Sequence, residues 1–503
     1  MESKTKMKNK LFKNQVFKIS FLILLFFCLL AFYSSLWYIN TFPSVGFDAI
    51  LFTIFSPLAG VQDGMIIGFL LWALLPTVLT TLLFGLLFFY SFGKKINFLP
   101  LSKRIVAILS IVISCISFVI ASVNVGIPEY IYNTSHESVF FEEKYVEPSD
   151  EVVKFPEEKK NLIYIFLESM ETTYFSKDVG GAMENNLIPE LYQLASENIN
   201  FSHNEDIGGF VTPPGSTWTI AAITSQTAGI PLKTGLFKQN EYGRDGFLQG
   251  AKNITTLLHD KGYYQALMFG SDRKFANRDV YFEDHNIDVI YDLATAREDG
   301  LIPKDYYVWW GMEDLYLFEY AKEKLSEISK KEQPFSFTML TVDTHHVSGY
   351  KCELCEDIYE EQYDNVFSCS SRQVFEFVNW LKEQEFYENT TIIICGDHLT
   401  MDSEYIDRMV ADDYEQHVYN CIINSEITCN NYKNRKFCGM DMFPTTLAAM
   451  GCEIKGDRLA LGTNLFSETP TLIEELGYDS FKEEVSFFSE FYVNTFMKKE
   501  DEQ

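Results

Sequence analysis

The stretch NLIYIFLES at residues 161–169 is an apolar run of strand length that ends in a glutamate and a serine. Such a run without polar alternation is typical of a strand buried on both faces of a sheet. Similar runs recur at Tyr264–Phe269, Phe335–Val342, Thr391–Cys395 and Val418–Ile423, and helical stretches lie between them at Pro189–Glu197, Asp314–Ser329 and Arg372–Glu383. This alternation predicts an α/β fold with a mostly parallel central sheet.

Polar residues with metal-binding side chains follow three of these runs. Glu168 follows the first, His345 lies in the segment DTHH after another, and Asp397-His398 follow the run at 391–395. Ligands of parallel α/β sheets bind beyond the carboxyl ends of the strands. Carboxylates with imidazole suit Mn²⁺ or Zn²⁺, and two carboxylates also admit Mg²⁺. We therefore expect a divalent-metal site at this edge.

The segment GSTWT at 215–219 precedes a helical stretch. A helix start has unpaired N–H groups and the positive end of the helix dipole, which suit a phosphate. A threonine hydroxyl at this position could bind the metal and attack phosphorus. Thr219 and Thr217 both fit this pattern.

The first 128 residues carry a different pattern. Three uncharged segments at Ile19–Asn40, Gly64–Gly93 and Ile105–Pro128 are each long enough to span a membrane. Lys and Arg cluster before the first and between the second and third, so the positive-inside rule predicts a cytoplasmic N-terminus and an extracellular domain after residue 128. The shorter apolar piece Ala49–Leu58 is expected to lie at the interface or to re-enter the membrane.

The charge differs between the two parts of the chain. The 503 residues have a formal net charge of −29. Residues 1–128 have 10 basic against 3 acidic residues (+7), and residues 129–503 have 31 against 67 (−36). This acidic balance excludes a nucleic-acid-binding surface, which needs a basic face.

Eight of the ten cysteines lie beyond residue 350, at positions 352, 355, 369, 395, 421, 429, 438 and 452. In an exported domain this favours disulfides, whose pairing the sequence does not give. Cys352-x-x-Cys355 also has the spacing of half a zinc site, but no second half with matching spacing follows.

Composition and patterning predict four segments. They are a membrane domain with three transmembrane helices (1–128), an extended linker (129–159), an extracellular catalytic domain (160–470) and a C-terminal helical tail (471–503). The linker is polar and charged with scattered prolines. The tail has an amphipathic pattern that predicts packing on the domain.

These motifs resemble the alkaline phosphatase superfamily, and more closely its membrane-anchored branch of sulfatase-like lipoteichoic acid synthases and phosphoglycerol transferases. The motifs are NLIYIFLESME (161–171), TWTIAAITSQTAGIPL (217–232), TVDTHH (341–346), CGDH (395–398), DMFPTTLAAMG (441–451) and LALGTNLFS (459–467). The likeness covers about residues 130–470. It implies an α/β/α sandwich at the plasma membrane that takes part in cell-envelope biogenesis.

The resemblance also implies roles for individual residues. The metal ligands fall on Glu168, Thr219, Asp397 and His398, with Thr219 as the nucleophile and Mn²⁺ as the expected ion, Mg²⁺ or Zn²⁺ being alternatives.

The substrate contacts implied by the resemblance fall on His345 and on the pair Asn277-Arg278. The family's His-Gly-Asp and Trp-Asn-Arg motifs are altered here, because residues 269–272 read FGSD and residues 275–278 read FANR. Asp272 stands near the family's aspartate, shifted by one position. His345 and Arg278 are the candidates for stabilising the phosphoryl oxygens or aiding the leaving group.

The implied reaction is the transfer of glycerophosphate from phosphatidylglycerol to a lipoteichoic acid or glycan acceptor through a covalent intermediate on threonine. Three alternatives stay open at this point. They are a phosphoethanolamine transferase, a membrane-anchored phosphatase or phosphodiesterase, and a non-catalytic envelope scaffold. A sulfatase activity is disfavoured because the sequence has no Cys or Ser in a C/S-x-P-x-R context.

Overall fold

The computed structural model of the chain describes residues 2–42, 46–57, 63–90, 103–235, 242–243 and 246–497. It divides into two compact units. The first comprises Met1–Pro43 and Gln62–Ile131, and the second comprises Ser44–Val61 and Tyr132–Gln503.

The first unit is helical. Its helices are Glu2–Thr41, Asp63–Phe69, a π-helical turn at Leu70–Leu74, Leu75–Tyr90 and Lys103–Asn124, which is followed across the unit boundary by Ile127–Ser135. The Tyr33 hydroxyl lies 3.3 Å from Thr80 Oγ1, and Asn124 Nδ2 donates to Ser35 Oγ at 3.1 Å. These polar contacts join helices whose remaining side chains are mostly apolar.

Two helices are long and apolar enough to cross a membrane, Ile19–Thr41 and Gly64–Leu86. The third predicted span is bent by 63° between Ile108–Asn124 and Ile127–Ser135. The described part of the chain therefore has two spans, or three if the bent pair is one span. Large apolar side chains in these helices face outward, as Trp72 does with 72% of its surface exposed. This outward apolar surface is that of a membrane protein.

The second unit contains a seven-stranded sheet. Its strands in chain order are β1 (Asn161–Leu167), β2 (Gly209–Phe210), β3 (Tyr264–Phe269), β4 (Val289–Tyr291), β5 (Phe335–Leu340), β6 (Thr390–Gly396) and β7 (Val418–Ile423). Their spatial order is β2-β7-β6-β1-β5-β3-β4. Every residue of β1 is buried, since β5 and β6 flank it in parallel and helices cover both of its faces.

Alternate side chains of β1 point into two different layers. Ile163 and Ile165 belong to the apolar core formed with the helices Pro189–Glu197, Asp314–Ile328 and Gln362–Lys382. On the opposite face, the Tyr164 hydroxyl donates to Gln226 Oε1 in the helix Thr219–Ala228 at 2.9 Å. The result is the expected α/β/α arrangement.

The remaining helices of the second unit surround this sheet. They are Phe47–Phe55, Phe140–Lys144, Ile254–Asp260, Arg278–Asp284, Leu293–Glu298, Ser403–Met409, Gly439–Ala449, Leu472–Leu476, Tyr478–Ser486 and Glu490–Phe496. Two small antiparallel pairs lie outside the main sheet, Val153–Lys154 with Glu453–Ile454, and Arg458–Leu459 with Gly462–Thr463.

The structure refines the expected sheet and corrects the expected linker. The pairs among β1, β3, β4, β5 and β6 are parallel as expected, and the sheet is mixed because β7 runs antiparallel to both β6 and β2. The segment 129–159 is not an extended linker, since Phe140 and Phe141 are buried in a short helix within it. Residues Phe47–Phe55 form a helix of the second unit, and its position at a membrane interface stays a prediction.

The expected disulfides are also not formed, since all ten cysteines, which lie in the described chain, are unbridged. Cys395 and Cys421 show why proximity in a sheet is not enough. Cys395 stands opposite Asn420, and Cys421 stands opposite Ile394. This register directs the two sulfur atoms to opposite faces of the sheet.

The end of β6 tolerates no side chain at Gly396. A Cβ there would lie 2.1 Å from the Met170 carbonyl oxygen and 2.7 Å from Val418 Cγ1. We predict that Gly396→Ala lowers the free energy of unfolding by about 1–3 kcal/mol, because the backbone at Met170 would have to move to make room for the methyl group. Denaturant unfolding of the full chain in detergent measures this. Gly64→Ala, where a Cβ meets nothing within 4 Å, is the matched control. An equal effect of the two changes would contradict the prediction.

Candidate active site

Three strand ends meet because β5, β1 and β6 are neighbours in the sheet. Glu168 follows β1, and Asp397 and His398 follow β6. One ligand atom from each of these three residues lies within 4.8 Å of the others, and all three residues are buried. The sheet topology thus gathers the three residues at one point.

Hydrogen bonds orient the two carboxylates. The backbone N–H groups of Ser169 and His398 both donate to Asp397 Oδ1 at 2.8 Å. The Ser169 hydroxyl donates to Glu168 Oε1 at 2.9 Å. Glu168 Oε2 and Asp397 Oδ2 are buried and accept no hydrogen bond from the residues that the structure describes. Each carboxylate is therefore held through one oxygen, while its other oxygen is buried without a hydrogen-bond donor among the described residues.

The His398 ring is oriented by its backbone neighbour. Nδ1 lies 2.8 Å from the Leu399 carbonyl oxygen. A carbonyl can only accept, so Nδ1 donates and Nε2 keeps its lone pair for a ligand. Nε2 lies 3.3 Å from Asp397 Oδ2 and 3.7 Å from Glu168 Oε1. This nitrogen faces the same centre as the carboxylates.

Thr219 supplies the hydroxyl of the site. It is the first residue of the helix Thr219–Ala228, and its Oγ1 lies 3.3 Å from His398 Nε2. Thr217 precedes the helix and is half-buried. The contact with His398 favours Thr219 over Thr217 as the nucleophile.

The buried carboxylates at the site would be stabilised by a bound cation. Burial, and then the neighbouring Asp397 charge, raise the pKa of Glu168 well above its ordinary value. Burial likewise raises the pKa of Asp397. Two buried carboxylates with unpaired oxygens, an imidazole nitrogen and a hydroxyl form a ligand set that fits a divalent metal such as Mn²⁺, Zn²⁺ or Mg²⁺.

Arg278 is fully buried beside this centre. Its Nη2 donates to Ser271 Oγ at 2.7 Å and to the Asp272 carbonyl at 2.8 Å, and Nε donates to the Phe275 carbonyl at 3.1 Å. Nη1 is buried without a hydrogen-bond acceptor among the described residues. Burial lowers the guanidinium pKa to about 10, so the group stays charged at neutral pH. One N–H edge of Arg278 therefore remains for an anion.

His345 is held in its neutral form. Nδ1 lies 2.7 Å from the His346 carbonyl oxygen and therefore carries the proton. Burial lowers the pKa of His345 to about 3, and the neighbouring positive charge of Arg278 acts in the same direction. The ring therefore stays uncharged at neutral pH and is not a proton donor for a leaving group.

The other two predicted substrate residues have structural partners. Asn277 Nδ2 donates to the Tyr242 carbonyl at 3.0 Å, and Asp272 Oδ1 accepts from the Lys274 N–H at 2.8 Å. The Asp272 carbonyl also holds Arg278. In this structure both side chains shape the loop that carries Arg278.

Two residues that the sequence did not single out for the site support it. Trp310 places its ring 4.0 Å from that of His345 and 5.7 Å from the Arg278 guanidinium carbon. Gln226 donates to the Gly396 carbonyl at 3.0 Å and to the Asp397 carbonyl at 3.2 Å. The TWTIAAITSQ motif contains Gln226, so its position in that motif was the available sequence signal.

Removing one charge from the carboxylate pair should separate metal binding from folding. We predict that Glu168→Gln weakens divalent-metal binding at least about tenfold. Without metal, this variant should be as stable as the wild type or more stable, because the repulsion between buried charges is gone. Melting temperatures of the full chain, with and without Mn²⁺, measure both effects.

The matched control is Glu474→Gln, whose carboxylate pairs with Arg435 at 2.9 Å. It should keep the metal-induced rise in melting temperature and lose stability instead. A Glu168→Gln protein that is still stabilised by Mn²⁺ as strongly as the wild type would remove Glu168 from the ligand set.

Comparison with known proteins agrees with this geometry. The Sulfatase family model matches residues 160–452, more than half of the chain. Phosphoglycerol transferase I of Xanthomonas campestris pv. campestris is 33% identical over 270 residues, which are 52% of this chain and 37% of that protein. Phosphoglycerol transferase I of Citrobacter koseri is 32% identical over 268 residues, which are 52% of this chain and 33% of that protein. The chain thus spans about a third of the length of these relatives.

A solved structure shares the fold. The lipoteichoic acid synthase LtaP from Listeria monocytogenes superposes with a TM-score of 0.50 at 18% identity, covering 69% of this chain and 94% of that chain. The resemblance to lipoteichoic acid synthases and phosphoglycerol transferases is confirmed, as is the α/β fold with an alkaline-phosphatase-like domain. The chain belongs to the sulfatase family.

Proposed function

We propose that this protein is a metal-dependent phosphoglycerol transferase that moves glycerophosphate from phosphatidylglycerol to a cell-envelope acceptor. The observation that carries the proposal is the contact of Thr219 Oγ1 with His398 Nε2 beside the two buried carboxylates. The name of the relatives at about 32% identity, phosphoglycerol transferase I, supports phosphoglycerol as the transferred group. A lipoteichoic acid, glycan or glycolipid is the proposed class of acceptor.

The four residues Glu168, Thr219, Asp397 and His398 would hold the cation. Bound there, a divalent ion lowers the pKa of the threonine hydroxyl and offsets charge on the phosphoryl oxygens. Mn²⁺ is our first candidate. Metal analysis of the purified chain would identify the native ion.

In the first step the Thr219 hydroxyl loses its proton to solvent and its Oγ attacks the phosphorus of the lipid. The P–O bond to diacylglycerol breaks, the leaving oxygen takes a proton from solvent, and glycerophosphate stays bound to Thr219. Arg278 contributes its buried Nη1–H edge to a phosphoryl oxygen, where a charged donor away from water is most effective.

In the second step an acceptor hydroxyl attacks the same phosphorus and gives up its proton to solvent. The bond between phosphorus and Thr219 Oγ breaks, and the threonine oxygen takes a proton from solvent. His345 is neutral and holds its proton on Nδ1, so Nε2 can accept a hydrogen bond that orients the incoming hydroxyl. This differs from a role for His345 in assisting the leaving group, which would need the ring to be protonated.

We infer that the catalytic unit faces the outside of the plasma membrane and the N-terminus faces the cytoplasm. The basis is the charge pattern, since Lys and Arg flank the apolar helices on one side only. The apolar helices would then keep the site close to the lipid donor.

The covalent intermediate tests the proposed function. We predict that the full chain in detergent, incubated with phosphatidylglycerol and Mn²⁺, carries a glycerophosphate adduct on the peptide with residues 217 and 219. Peptide mass spectrometry should find the adduct lost in Thr219→Ala and kept in Thr217→Ala. The reverse result would assign the nucleophile to Thr217.

Other outcomes of this experiment would overturn the donor or the reaction. An adduct formed with phosphatidylethanolamine instead would indicate a phosphoethanolamine transferase. Lipid turnover with release of free glycerophosphate, even when acceptor is present, would indicate a phosphodiesterase. No adduct, no turnover and no bound metal would leave a non-catalytic scaffold.

The unpaired edge of Arg278 predicts a specific loss. Arg278→Lys should reduce kcat/KM for phosphatidylglycerol by about 10²–10³, the cost of removing one donor to a developing charge. Lysine cannot hold Ser271 and the Asp272 carbonyl while also reaching the phosphate. Arg273→Lys is the matched control, since Arg273 pairs with Asp292 at 3.0 Å. Equal activity of the two variants would contradict the role of Arg278.

A further inference from the structure

A second group of metal-binding side chains lies outside the candidate active site. Cys352 and Cys355 lie in the segment between β5 and the helix Gln362–Lys382, and Cys369 lies in that helix. The three sulfur atoms lie within 4.8 Å of one another. Cys352 Sγ is 3.6 Å from Cys355 Sγ and 3.8 Å from Cys369 Sγ. The helix thus supplies a third thiol to the half-site recognised in the sequence.

These separations match a shared metal ion. With metal–sulfur bonds of about 2.3 Å in a tetrahedral site, neighbouring sulfur atoms lie about 3.8 Å apart. A disulfide would engage two of the three sulfur atoms and leave the third thiol beside it. The triangle of three sulfur atoms therefore fits coordination better than cross-linking.

The surroundings favour thiolates. Cys352 and Cys369 are buried, and Cys355 is half-buried. Gln373 lies one turn after Cys369 and directs its Nε2 to Cys369 Sγ at 3.5 Å and to Cys352 Sγ at 3.9 Å. An amide donor stabilises negative charge on sulfur.

We propose that Cys352, Cys355 and Cys369 bind a thiophilic divalent cation, Zn²⁺ in the first place. The thiol protons pass to solvent as the ion binds. The half-exposed side of the cluster at Cys355 leaves a fourth position for water or a carboxylate of the acidic segment 353–361. The ligand chemistry separates this site from the carboxylate and imidazole site, which suits harder ions.

The ion would fix the segment that begins at His345. This segment is tied at its start, where the Tyr350 N–H donates to the Asp343 carbonyl at 2.7 Å and the Tyr363 hydroxyl donates to the Thr344 carbonyl at 2.6 Å. The cysteines join its middle to the helix Gln362–Lys382. The metal would thus act on the position of His345 without contacting substrate.

Cobalt spectroscopy of the full chain tests the proposal. Thiolate ligands give Co²⁺ a charge-transfer absorption in the near ultraviolet, which oxygen and nitrogen ligands do not give. We expect this band at one equivalent per chain in the wild type and in Glu168→Gln, so that it is independent of the candidate active site. Cys369→Ser and Cys352→Ser should lose it. Cys421→Ser, which removes a fully buried thiol elsewhere, should keep it.

A second measurement uses the wild-type chain and so tests the proposal even if the cysteine variants fold poorly. Thiols of the wild-type chain are alkylated without reduction, and the peptides are mapped by mass spectrometry. We expect Cys352, Cys355 and Cys369 to be recovered as thiols and protected from alkylation until a chelator is added. A disulfide among these three residues, or no cobalt–thiolate band in the wild type, would overturn the proposal.

Discussion

The site depends on two carboxylates that are buried side by side at the ends of neighbouring strands. Leu167 of β1 stands opposite Gly396 of β6, so the residues that follow them, Glu168 and Asp397, leave the sheet together. Burying two negative charges without a counter-charge is costly, and it is tolerated where a cation completes the arrangement. The Ser169 N–H donates to Asp397 Oδ1, so the other oxygen of this carboxylate stays available to a cation.

The nucleophile reaches this pair from another part of the fold. The helix Thr219–Ala228 packs on one face of the sheet, and Gln226 fixes it by hydrogen bonds to Tyr164 of β1 and to the carbonyls of Gly396 and Asp397. The distance between Thr219 and His398 is therefore set by the same strands that set the distance between the carboxylates. Such preorganisation allows one hydroxyl to be positioned for attack without rearrangement.

Much of the fold was predictable from local pattern. The runs at 161–167 and 418–423 are strands with the expected bounds, because a continuous apolar run is buried in any orientation. The same pattern does not predict the direction of a strand in the sheet. The antiparallel pairing of residues 418–423 depends on the strands beside them. The polar segment 129–159 was misjudged, since a few buried aromatic side chains such as Phe141 anchor it to the domain.

The sequence by itself determined which chemistry was available: a carboxylate, a threonine and an Asp-His pair beyond apolar strands, with the order and local context typical of one family. Only the tertiary structure decided which atoms meet, because Thr219 and His398 are 179 residues apart and hydrogen-bond direction is set by packing. It left one edge of Arg278 for an anion, it held His345 neutral, and it brought Cys369 to a pair of cysteines whose local spacing indicated only half a site.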